Sequence, residues 1–387
     1  MKRQTIGLAE LLRNLRHQRI IESYHRRGEF NWRVFVVRIK NMGTLSMVVL
    51  LLLTNVVALG QTSNPTPPEP GLEATLAAAH EKLEHGDPQE AIAMLEKLAA
   101  TSGASAKGVQ HELGIAYYRT GKLLSAEQAF AHAMDENPKD MESVQMRGLA
   151  LYRLGRPEAA IPFLERVRQW TPNANADANY VLGLCYLNSQ RFDDARLAFA
   201  NQFAIPPNSG PAYLLLGKML MQANLPEAAA EAAKKALELT PKLPLAHLLL
   251  GEFYLYKSDT ETALREFEQE REINPANSAV YDRLGDVYTR SGQYQQAQEA
   301  LAKAISLDTS STGPFIQMGK VLLRRNDPQS SLLYLQHAEK MDPGNYMTHT
   351  LLGQAYRALG REEEAKTEID RASQIHAAKQ LKLQPAQ

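Results

Sequence analysis

The chain of 387 residues holds a single cysteine, Cys185. An intramolecular disulfide and a cysteine-based metal site are both excluded. Net charge is lacking too, with 43 Lys and Arg against 43 Asp and Glu. No apolar run reaches the roughly 20 residues of a comfortable membrane span. The longest candidate, Thr44 to Leu59, falls short. Catalytic signatures are also absent. No glycine-rich phosphate loop follows a strand pattern, and no Gly-x-Ser-x-Gly elbow occurs. His111-Glu112 lacks the second histidine of a zinc-binding HExxH helix. His80 and His85 are five apart and share a helix face poorly. The expectation is a non-enzyme without cofactor or metal.

The charge balance hides an asymmetry. Residues 1–46 carry ten Lys or Arg against Glu10, Glu22 and Glu29, which leaves the remainder with 33 basic and 40 acidic residues, a net of −7. A mildly acidic body argues against nucleic acid as its main partner. Residues 1–43 form a basic extension, and 44–60 combine an uncharged apolar run with Ala58-Leu59-Gly60, a small-x-small cleavage pattern. A secretory signal cut after Gly60 is the first reading. An uncleaved anchor is the alternative, and so is translation from Met42 instead of Met1. Export to a periplasm or envelope is expected, or else inner-membrane anchoring with the remainder outside. No cysteine follows the apolar run, which removes a lipoprotein anchor. Residues 61–71, QTSNPTPPEPG, form a Pro-rich linker.

From residue 72 a fixed period takes over. Gly114, Gly148, Gly183, Gly217, Gly251, Gly285, Gly319 and Gly353 are separated by 34 residues, with one step of 35 between Gly148 and Gly183. Ala126, Ala160, Ala195, Ala229, Ala263, Ala297, Ser331 and Ala365 keep the same beat. A period in this range marks a repeat architecture. Pro88, Pro157, Pro226 and Pro328 fall where a second helix of each copy starts, with Asp87 and Asp327 as caps. Between the two helices lie Gly121, Gly155, Gln190, Asn224, Ser258, Gly292, Asn326 and Gly360. Gly and Asn tolerate a left-handed residue at a helix end, so looser turns are expected at Gln190 and Ser258.

These residues resemble the tetratricopeptide repeat, whose pattern runs W-x2-L-G-x2-Y, A-x3-F and P. The resemblance covers residues 72–379 as nine copies, 72–106, 107–140, 141–175, 176–209, 210–243, 244–277, 278–311, 312–345 and 346–379, followed by a tail at 380–387. It implies an all-α, right-handed α-solenoid superhelix of about nine helix-turn-helix repeats. It also implies a concave groove lined by the first helix of each copy, helix A, in which a protein or peptide partner lies. The framing places Tyr118, Arg119, Tyr152, Arg153, Tyr180, Leu184, Lys218, Leu248, Tyr256, Arg290 and Arg324 in that groove, together with His111, Leu214, Leu255, Glu252, Asp282 and Asp286. The repeated pairs Tyr118-Arg119 and Tyr152-Arg153 suggest a grip on acidic or C-terminal groups, next to a more apolar middle.

The lysine and asparagine positions that co-chaperone arrays use to clamp a carboxylate terminus are not matched here. His247 and His349 take a position held elsewhere by Tyr213, Tyr281 and Phe315, and are expected to be packing residues. The expected function is a non-enzymatic interaction scaffold or adaptor. Two alternatives are an envelope adaptor for exopolysaccharide secretion or glycan binding, and an accessory subunit that positions a partner enzyme. A membrane contact is expected only if 44–60 is an uncleaved anchor.

Overall fold

The structure, a computed structural model, describes residues 71–102, 107–170 and 176–383. The basic extension, the signal or anchor segment and all of the Pro-rich linker except Gly71 lie outside the described residues. Among the described residues there are eighteen helices and no strand, and no helix is long and apolar enough to cross a membrane.

The described residues divide into two compact units, one up to residue 185 and one from residue 186. The first contains α1 (Leu72–His85), α2 (Pro88–Ser102), α3 (Val109–Arg119), α4 (Leu123–Glu136), α5 (Met141–Arg153) and α6 (Pro157–Trp170). Helix α7 (Ala176–Asn188) runs across the division. The second contains α8 (Phe192–Gln202), α9 (Gly210–Gln222), α10 (Pro226–Leu239), α11 (Ala246–Tyr256), α12 (Thr260–Ile273), α13 (Ser278–Arg290), α14 (Tyr294–Leu307), α15 (Thr312–Arg324), α16 (Pro328–Met341), α17 (Tyr346–Ala358) and α18 (Glu362–Leu383). The last helix continues to Leu383, past the end of the sequence period at 379. Within α1–α6 of the first unit and within α8–α18 of the second, each helix packs on its neighbours in sequence, so contacts stay nearly local.

Most of the periodic glycines face a neighbouring helix with no room for a side chain. A Cβ added at Gly114 would meet the ring of Phe130 at 2.5 Å. At Gly148 it would meet Leu164 at 2.8 Å, at Gly285 Leu301 at 2.6 Å, at Gly319 Leu335 at 2.5 Å, and at Gly353 Ile369 at 2.8 Å. At Gly251 it would strike Phe267. In every case the intruding side chain sits sixteen residues on, in the facing helix B. Gly217 departs from this rule for a visible reason. Its counterpart is Ala233, too small to fill the hole, and Leu249 of the next pair enters instead, 2.8 Å from the added Cβ.

The turns between paired helices are uniform. Gly121, Gly155, Gly292 and Gly360 have φ between 72° and 77°. Gln190, Asn224, Ser258 and Asn326 adopt the same left-handed conformation, with φ between 57° and 61°. The looser turns expected at Gln190 and Ser258 therefore do not occur. The backbone N–H of Arg191 still reaches the Tyr186 carbonyl at 2.8 Å, and that of Asp259 reaches Tyr254 at 2.9 Å. These closing bonds and the packing on either side impose the conformation on residues that disfavour it. Pro88, Pro157, Pro226 and Pro328 open their helices as the sequence implied, and Asp327 accepts from the Ser330 N–H.

A second periodic contact ties one pair to the next. The Tyr117 hydroxyl donates to Glu96 at 2.7 Å, and Tyr288 donates to Glu268 at 2.8 Å. Gln336 donates to the Tyr356 hydroxyl at 3.2 Å. In each case helix B of one copy meets the tyrosine of the following helix A. Burial first, and then the neighbouring carboxylate, push the Tyr117 and Tyr288 hydroxyls up to about 12, so they remain donors at any ordinary pH. Cys185 is fully buried and its thiol is raised to about 12 by burial alone, as suits a small packing residue.

Helix α15 contains its own control for the glycine contact. Gly319 has no room for a Cβ, whereas the nearest atom to one at Gly313 is 3.8 Å away. Gly319→Ala is expected to lower unfolding free energy by about 1–2 kcal/mol through overpacking, despite the better helix propensity of alanine. Gly313→Ala should be neutral or stabilising by up to about 1 kcal/mol. Urea denaturation of the two variants checks the contrast.

Candidate interaction face

Within each unit consecutive A helices touch one another. Helix α1 meets α3 and α3 meets α5 in the first unit; α9, α11, α13, α15 and α17 follow in order in the second. Consecutive B helices make no comparable contacts among the described residues. The A helices thus form the tighter tier of each unit. In α3, α5, α11, α13, α15 and α17 one face is occupied by the paired helix B through the glycine contact.

All eleven candidate groove residues lie on A helices, and none is fully buried. Tyr118, Arg119, Tyr152, Arg153, Tyr180 and Leu184 are half-buried in the first unit. In the second, Lys218 and Leu248 are half-buried, while Tyr256, Arg290 and Arg324 are exposed, Tyr256 to 61%.

The two Tyr-Arg pairs do not act as two equal copies. The Arg153 guanidinium lies over the Tyr118 ring at 4.8 Å, so the stack joins the second helix A of the row to the third. Arg153 has no carboxylate within ion-pair distance among the described residues. Arg119 turns the other way. It donates to the Leu83 carbonyl at the C-terminus of α1 and lies 3.6 Å from Glu84. A cation there satisfies a terminal carbonyl and the negative end of the helix dipole. Arg119 is therefore a fastening between α1 and α3.

His111 is likewise a fastening. Asp140 caps α5, accepting from the Glu142 and Ser143 N–H groups. His111 Nδ1 lies 2.9 Å from that same Asp140 carboxylate, and Nε2 lies 3.6 Å from Glu142. Hydrogen bonding to Glu142 and the charges of Asp140 and Glu142 outweigh burial and push the imidazole up to about 9. Beside it is a cleft of about 330 Å³, lined by Leu76, Gly108, Glu112, Ala133 and Asn137 among others.

In the second unit the face is polar and cross-linked. Arg283 Nε donates to Glu252 at 3.0 Å, and Arg283 also pairs with Asp282 at 3.5 Å. Gln317 donates to Asp282 at 2.7 Å, and Arg290 donates to Asp286 at 3.0 Å. One network thus spans α11, α13 and α15. Burial pushes the Asp282 carboxyl up, with Arg283 opposing it. Arg283 and Gln317 were missed in the sequence. The signal was present: both occupy a repeat position filled by leucine in neighbouring copies, at Leu215 and Leu249. The apolar middle is smaller than expected there. Leu214 is buried, and Leu248 and Leu255 pack against the Phe267–Leu284 core.

The histidines expected to pack do so with a carboxylate attached. His247 lies 2.7 Å from Glu266, and the fully buried His349 lies 2.6 Å from Glu368. Among the described residues one group has metal-ligating chemistry within reach of a single ion: Glu339, His349 and Glu368.

Profiles of the tetratricopeptide repeat match residues 76–141, 111–175, 214–278 and 316–378, a further profile of the same repeat matches 151–219, and another matches 278–311. The chain belongs to the tetratricopeptide repeat family. No curated protein matches it significantly. Among solved structures it is similar to YrrB, described as a TPR protein with an unusual peptide-binding site, at 24% identity and a TM-score of 0.38, covering 43% of this chain and 87% of that one. MamA matches at 21% identity and a TM-score of 0.38, over 42% of this chain and 95% of that one. PilF of Pseudomonas aeruginosa matches at 20% identity and a TM-score of 0.42, over 50% and 88%. The repeats are those of protein interaction scaffolds.

Because the folded His111 holds its proton more tightly than an unfolded histidine near 6.5, its contribution is complete below that pH and is lost as pH rises toward 9. The urea midpoint of the first unit should fall over pH 6.5 to 9, by about 1 kcal/mol in stability after solvent screening. His111→Gln should flatten that slope. Fluorescence-monitored denaturation at a series of pH values measures it.

Proposed function

We propose that the chain is a non-enzymatic scaffold that holds a protein segment on the A-helix face of its tetratricopeptide units. The observation that carries this reading is the Tyr118–Arg153 stack. It presents a half-buried guanidinium, held in place by an aromatic ring, with no carboxylate among the described residues paired to it. A planar guanidinium fixed in this way favours bidentate capture of a carboxylate. Tyr152 on α5 and Tyr180 and Leu184 on α7, all half-buried, are the candidates for apolar contact with the same segment. The preferred partner of the first unit is thus an acidic segment or a C-terminal carboxylate. In the second unit Lys218, Leu248, Tyr256, Arg290 and Arg324 share the face with carboxylates, so recognition there is of mixed charge.

The same reading makes the protein an exported one, acting in the periplasm or envelope, on the strength of the apolar run and cleavage pattern at 44–60. An intact mass beginning at Gln61 in the soluble envelope fraction is the expected result. Retention of residues 1–60 in membranes would replace export with anchoring.

The binding claim is tested with an array of acidic, basic and C-terminal peptides probed with the full chain. Acidic or carboxylate-ended peptides should be selected. The Tyr118→Ala, Arg153→Ala double variant should weaken them at least tenfold, whereas Arg119→Ala should act mainly on stability. Selection that is unchanged in the double variant would remove the stack from the site.

A further inference from the structure

We infer that Glu339, His349 and Glu368 form a binding site for a divalent transition cation, of the Zn2+ class, that staples the C-terminal end of the array. The three side chains come from three consecutive helices, α16, α17 and α18. Their ligand atoms, one from each residue, all lie within 4.8 Å of one another. Imidazole and carboxylate at that spacing are ligands for Zn2+ and its neighbours.

The histidine is the decisive member. His349 is fully buried. Its Nε2 is 3.0 Å from the Pro343 carbonyl, which can only accept, so the Nε2 proton is fixed there. A ligand histidine is commonly held by such a backbone carbonyl, which sets the tautomer and turns the other nitrogen to the metal. That other nitrogen, Nδ1, faces the Glu368 carboxylate at 2.6 Å. A lone pair facing a carboxylate so closely needs a positive centre between them. A proton can supply it, and so can a metal ion, which at about 2 Å from each ligand atom would hold the two roughly 3 Å apart, a small outward shift from the metal-free spacing.

The chain contains a matched pair that separates the two cases. His247 and Glu266 occupy the same repeat positions as His349 and Glu368, and lie 2.7 Å apart. The position equivalent to Glu339, however, is Leu237 in the earlier copy. The His–Glu pair alone is thus a packing device that works without a third ligand. Only at the C-terminal end does the preceding helix add a second carboxylate. Glu339 is partly held by Arg371, at 3.3 Å across the surface. Two carboxylates and a neutral imidazole balance a divalent charge, and the partial exposure of Glu339 and Glu368 leaves room for water as a fourth ligand.

The consequence would be mechanical. Helix α18 is rich in charged residues. A cation bridging α16, α17 and α18 ties it to the two helices before it, and its binding free energy adds to stability.

The test uses the full chain, stripped with chelator and titrated with Co2+ and with Zn2+. One equivalent of Co2+ is expected to give visible d–d absorption, displaced by Zn2+, and Zn2+ should raise the thermal midpoint. The Glu339→Gln variant keeps the His349–Glu368 pair and should fold normally, yet lose the Co2+ spectrum and the Zn2+ shift. His247→Gln should retain both. The assignment is overturned if the native chain gives no Co2+ spectrum, or if Glu339→Gln binds Co2+ as the native chain does.

Discussion

Everything in the fold depends on one contact, the fit of a helix B side chain into the gap left by a helix A glycine. Phe130, Leu164, Phe267, Leu301, Leu335 and Ile369 each occupy a space that a single Cβ would close. This close approach sets the distance between the paired helices at these six positions and directs one face of helix A at its partner. The A-helix residues outside this contact are free to vary from copy to copy, and the proposed interaction face is built from them.

Much of this was legible because steric demands recur. A glycine at a crowded position returns every 34 residues, once after 35, and proline and the capping aspartate mark helix starts by backbone chemistry that leaves few choices. What was not legible depends on pairs brought together only by folding. Gln190 and Ser258 follow their neighbours into left-handed turns because the closing hydrogen bonds outweigh local preference. Arg119 and Arg153 look equivalent in the sequence, yet one caps α1 and the other lies over Tyr118. The difference arises from what stands behind each: α1 ends beside Arg119, whereas Arg153 finds an aromatic face in the preceding helix A. The Arg283 network and the Glu339–His349–Glu368 group also join residues from separate copies, at positions that carry no family signature.

The two units therefore differ in what they can hold. The first presents an aromatic and cationic face fastened by His111 and Arg119, the second a mixed network of carboxylates and guanidinium groups. Identical repeat backbones carry these unlike surfaces because the packing positions are fixed and the outward ones are not. Such separation lets the partner change without disturbing the core.

The most direct measurement of the account is a double-mutant cycle on Gly285 and Leu301. Gly285→Ala alone overfills the gap, and Leu301→Ala alone leaves a cavity costing about 2–5 kcal/mol. If the side chain truly occupies the glycine's space, each change relieves the other, and the double variant should be at least about 1 kcal/mol more stable than the sum of the single losses implies. Strict additivity would contradict the account, because it would mean that Leu301 and the glycine gap do not share one space.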